Sequence, residues 1–118
     1  MSQTEQEMQQ IEISIQQAKA HIELGERLER LCVNPDFKVI FLEGYLKDYA
    51  VRLVGLKASM PMQGDKDQNF IASQLNATGF MSQYMHYIRQ EAYNAKVALE
   101  ADQQEIDGIM DDIEDEEV

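Results

Sequence analysis

The chain contains no tryptophan, a single cysteine, only two prolines and no long apolar run, and each scarcity closes off a class of explanation. A helix that crosses a bilayer needs about 18 or more consecutive apolar residues, and polar side chains interrupt every stretch of that length. Cys32 has no second cysteine to pair with, so a disulfide framework is excluded and packing is its expected role. The segment Met1-Ser2-Gln3-Thr4-Glu5-Gln6-Glu7 has neither positive charge nor an apolar core, unlike a secretory leader. A reducing cytoplasm is the expected compartment.

Residues for chemistry are equally sparse. His21 and His86 are preceded three residues earlier by Ala18 and Gln83, not by the carboxylates of a di-iron bundle. With no histidine pair and no cysteine pair, zinc sites and thiol redox sites lack their ligands. Gly44, Gly55, Gly64 and Gly79 are too widely spaced to cradle a phosphate. The ten Lys and Arg residues are scattered among carboxylates, which leaves no basic stripe for direct nucleic-acid binding. Carboxylates such as Glu43 and Asp48 beside Tyr45 read as helix solvation. The sequence therefore offers no catalytic, cofactor-binding or metal-binding residues, and a non-enzymatic protein without cofactor is expected.

What is present is negative charge, concentrated at one end. Residues 1–99 carry twelve acidic and ten basic side chains, whereas residues 100–118 carry ten acidic and none basic. Acidic residues in the last turns of a helix oppose its macrodipole. A frayed acidic tail over 108–118 is expected, following a helical domain over 1–107. Asp111, Asp112, Glu114, Asp115, Glu116 and Glu117 form a candidate surface for steering a basic partner or imitating nucleic-acid phosphates.

Periodicity then divides the chain into helices. Met8, Ile11, Ile15, Ala18 and Ile22 recur at three and four residues and predict a helix over about 4–32, with Ile13 off the stripe. The stripe drifts near Gly25 onto Leu24, Leu28 and Leu31, as at a change of packing partner. Asn34-Pro35 is a helix-start signal, opening a helix over about 35–59. That helix is apolar on two faces, one with Phe37, Ile40, Phe41, Tyr45, Tyr49, Leu53 and Leu56, the other with Val39, Leu42, Leu46, Ala50 and Val54, so cover on both is expected. Gly44 and Gly55 within it suggest close approach of another helix.

Met60-Pro61-Met62-Gln63-Gly64-Asp65 interrupts the helical pattern. From Ile71 a stripe runs through Thr78, Met81, Met85, Ile88, Ala92, Ala95, Leu99, Ile106, Ile109 and Ile113, with gaps at Gln74 and Asp102. A helix over 67–107 would be about 60 Å long, more than one small globule needs. Gly79 and Gly108 are places where it could bend or fray. The expected fold is all-α: a three-helix antiparallel bundle, or a helical hairpin with a long C-terminal helix and coiled-coil arm. Helix one would lie along the later part of helix three, and helix two near its start. Met81, Met85, Ile88, Ala92, Ala95 and Leu99 are the candidate self-association stripe of a homo-oligomer.

The block Leu28-Glu29-Arg30-Leu31, Asn34-Pro35-Asp36-Phe37-Lys38, Phe41-Leu42-Glu43-Gly44-Tyr45 and Arg52-Leu53-Val54 resembles small helical proteins encoded by tailed bacteriophages. The similarity continues through Gln83-Tyr84 into the acidic helical end and so covers most of the chain. It implies a phage assembly factor or minor virion component in host bacterial cytoplasm or in the virion, whose partners are proteins. It implies no site residues. The alternative reading is a host-directed inhibitor that captures a basic protein with its acidic surface.

Overall fold

The structure, a computed structural model, describes residues 2–117. Met1, Val118 and the side chain of Glu117 lie outside the described residues, and so do the corresponding parts of the expected tail and acidic surface. Among the described residues there is helix and short connection but no strand. The first helix, α1, spans Gln3–Cys32. Its start is fixed by Ser2, whose hydroxyl accepts the Glu5 backbone N–H at 3.2 Å. Ser2-Gln3-Thr4-Glu5 carries the residue pattern of a capping box, a start signal the apolar stripe does not contain.

After a two-residue step, Val33-Asn34, the chain turns into α2, built from Pro35–Phe37, Lys38–Tyr49 and Ala50–Lys57 in unbroken helical backbone. Asn34 Oδ1 accepts from the backbone N–H groups of Asp36 and Phe37 at 3.0 and 3.1 Å. Pro35 occupies a position where no intrahelical donor is missed. A 3₁₀ turn, Met60–Met62, then leads to α3, Asp65–Glu117. Two glutamine amides tie this turn together. Gln63 Nε2 donates to the carbonyls of Lys57 and Ser59, and Gln68 Nε2 to those of Lys57 and Met62. Carbonyls left over at the end of α2 thereby gain donors. Asp65 and Asp67 place negative charge on the first turn of α3, where the helix dipole favours it.

The chain divides into two packed units, one of residues 1–26 with 88–118, the other of residues 27–87. In the first, α1 and the later part of α3 run antiparallel: Ser14 is opposite Asp102 and Gly25 opposite Ala92. Ile11, Ala18 and Gly25 are buried at intervals of seven residues, and Ala92 and Ala95 are buried on α3. Small residues on both helices permit this approach. A Cβ added to Gly25 would lie 2.5 Å from the Ala92 Cβ, inside any tolerable contact. The drift of the apolar stripe near Gly25 thus coincides with a close approach of the two helices.

In the second unit α2 and the early part of α3 run antiparallel, linked by a hydrogen bond between Tyr49 Oη and Gln74 Oε1 at 3.3 Å. Leu53 and Ile71 are the most completely buried side chains of the chain's described part, at 1% and 0% exposure. Thr78, also buried, donates to the Leu75 carbonyl at 2.7 Å, so its hydroxyl is satisfied within α3. Both gaps in the apolar stripe of α3 are therefore filled by polar pairs, Gln74 with Tyr49 and Asp102 with Ser14.

Several expectations change. The segment 108–117 is helical and continuous with α3, and Ile106 and Ile109 are partly buried. Val39, Ile40, Val51 and Val54 are exposed, so α2 is not covered on both faces. Gly55, Gly79 and Gly108 have open space where a Cβ would be, and the helix passes through the last two without interruption.

Candidate functional site

The middle of α2 is a π-helix over Lys38–Tyr49, with backbone hydrogen bonds that reach five residues instead of four. Phe37, just before it, and Phe41, Tyr45 and Tyr49 within it recur at four-residue intervals. In an α-helix each four-residue step overshoots a full turn by about 40°, so three steps would wind such a series well around the rod. The wider π turn brings the series closer to one line. The rings stack down the helix with centroid separations of 5.2, 5.8 and 5.9 Å.

Gly44 sits inside this segment, and its role is internal to the helix. A Cβ there would lie 2.9 Å from the Val39 carbonyl oxygen, five residues back. Glycine accordingly suits the π turn at this point, and the expected close approach of another helix is not what it serves. Long π segments are rare, and shorter ones occur frequently at functional sites.

Between the π segment and α3 lies an open groove of about 890 Å³. Its lining includes the small residues Gly44 and Ala77 together with Phe41, Tyr45 and Met81. Ile40, Phe80 and Tyr84 border it while remaining 64%, 65% and 56% exposed. No charged side chain lines it. Tyr84 also stacks on Tyr87, whose ring is exposed in turn, so the apolar surface continues along α3. Apolar surface concentrated around a concavity is the physical signature of a contact site.

The proposed self-association stripe has a different fate. Met85, Ile88, Ala92 and Ala95 are buried within the chain, and Met81 and Leu99 are partly buried. Those side chains are already committed to packing, so the stripe does not provide an outward surface. The exposed aromatic residues Phe80, Tyr84 and Tyr87 lie beside it on the same helix. Three- and four-residue spacing is shared by both sets, which is why periodicity alone could not separate core from surface here.

At the other end of α3, Asp111, Asp112, Glu114, Asp115 and Glu116 are exposed on helical backbone. Among the described residues, no three His, Cys, Asp or Glu side chains converge in a way that could hold a metal ion. No described helix is long and apolar enough to cross a membrane. Compared with protein-family models, with curated proteins and with solved structures, the chain matches none.

Proposed function

We propose that this chain is a non-enzymatic protein-interaction protein whose principal contact site is the groove between the π segment of α2 and α3. The observation that carries this reading is the uncharged groove edged by three large, mostly exposed apolar side chains, Ile40, Phe80 and Tyr84. Covering them would remove apolar surface from water at about 25 cal/mol per Å², a gain the isolated chain does not collect. Residues 3–26 and 88–117 act in this reading as a coiled-coil arm. The resemblance to small helical proteins of tailed phages narrows the role to an assembly factor or minor virion component, working in host cytoplasm or retained in the particle.

A photo-cross-linking side chain at position 80 tests the site, with position 97 as the control because Val97 is exposed outside the groove. Protein adducts from position 80 and none from position 97 support the reading. Equal labelling from both positions, or none from either, would sink it. Mass spectrometry of purified particles and assembly intermediates tests the narrower role.

The helical continuity of 108–117 favours one second reading, an inhibitor that presents its acidic side chains to a basic host protein. Deleting residues 100–118 would also remove Asp102 and Ile106 from the helix pair, so charge substitution is the cleaner test. Changing Asp111, Asp112, Glu114, Asp115 and Glu116 to their amides should abolish capture of that protein, and unchanged capture rejects the inhibitor.

A further inference from the structure

Resting on the interaction reading above, we infer that the occupant of the groove is the same groove of a second copy of this chain, in a two-fold dimer. A two-fold interface must be complementary to itself, so one surface has to present both the protrusions and the recess that receives them. The lining of this groove offers both kinds of residue: the large side chains of Phe80 and Ile40 are mostly exposed, and Gly44 and Ala77 are small. In the dimer Phe80 of each copy enters the recess at Gly44 and Ala77 of the other.

Charge favours the same occupant. Residues 27–87, which contain the whole groove, carry seven Lys and Arg and six Asp and Glu, a net of +1. The remaining residues carry three basic and sixteen acidic side chains, a net of −13. Two identical chains that meet through the acidic unit bring together charges of the same sign, whereas contact through residues 27–87 joins nearly neutral surfaces. The groove is thus a place where a second copy can dock without opposing its own charge.

The test is sedimentation equilibrium of the full-length chain across a wide concentration range, at low and high salt. The expected result is a reversible dimer. Because the near-neutral surface mediates it, its dissociation constant should change by less than about tenfold with salt. Phe80→Glu should raise that constant by about thirtyfold or more, the effect of losing a central hot-spot residue. Val97→Glu, outside the groove, should change it by less than about threefold. Far-ultraviolet circular dichroism of each variant checks that helicity is kept. If Phe80→Glu loses helicity, Tyr84→Lys replaces it with the same expectation.

A mixed sample of isotope-labelled and unlabelled chains should also show Overhauser effects from the Phe80 ring to Gly44 and Ala77 of the other copy. A wild-type chain that stays monomeric throughout, or a dimer insensitive to the groove substitution, overturns the inference. In the monomeric case, protein adducts from position 80 would leave the interaction reading standing with a different partner.

Discussion

The hydroxyl of Ser14 donates to Asp102 Oδ2 over 2.6 Å, joining residues 88 apart in sequence at a polar position of an otherwise apolar seam. A polar residue at one core position of a helix pair lowers stability relative to an apolar one and favours a single register. Ser14 and Asp102 are both partly buried, so the bond forms at the edge of water.

Replacing only Ser14 leaves Asp102 without this donor, and Ser14→Ala should lower stability by about 1 kcal/mol. The double change Ser14→Ala with Asp102→Leu should instead raise the thermal midpoint above wild type, because both polar groups leave the seam together. Thermal unfolding followed at 222 nm distinguishes the two. A double variant no more stable than Ser14→Ala would show that the bond contributes more than the apolar contact that replaces it.

Gly25 and Gly55 should respond to alanine in opposite directions. Alanine gains up to about 1 kcal/mol over glycine within a helix, and at Gly55 nothing lies close enough to oppose that gain. At Gly25 the new methyl meets Ala92 at 2.5 Å and must push the helices apart, at a cost of about 1–3 kcal/mol. Adding Ala92→Gly to Gly25→Ala should recover part of the loss. Denaturant midpoints of the three variants measure this.

Leu53→Ala and Ile71→Ala should each cost about 2–5 kcal/mol, since neither side chain retains appreciable exposure. Met85→Ala belongs to the same group, because Met85 is only 7% exposed. Phe80→Ser, by contrast, should leave the stability of the monomer within about 0.5 kcal/mol. Chemical denaturation at low protein concentration separates these core changes from the exposed one.

Gly44→Ala should disturb the π segment specifically. The added methyl would crowd the Val39 carbonyl, and local return to α-helical bonding relieves it while winding the aromatic series away from one line. The expected result is a changed near-ultraviolet signal from Tyr45 and Tyr49 with nearly constant ellipticity at 222 nm. An unchanged tyrosine signal would show that the segment accommodates the methyl without rewinding.

The helical character of the chain was legible in its spacing of apolar residues and in the Asn34-Pro35 start, because these signals act over one or two turns. Asn34 could be recognised because its side chain reaches donors two and three residues away. The breaks at Gln74 and Asp102 were visible too, but only folding supplied Tyr49 and Ser14 as their partners. At Gly25 the sequence showed a drift of the apolar stripe, and only the fold placed Ala92 against it. Similarly, Met85 and Phe80 share the same local apolar signal, yet one is buried and the other exposed. Sequence by itself determined where helix can form and where charge accumulates, since both follow from neighbouring residues. Tertiary structure decided which apolar side chains are covered and which border the groove, because burial depends on residues brought together from distant parts of the chain.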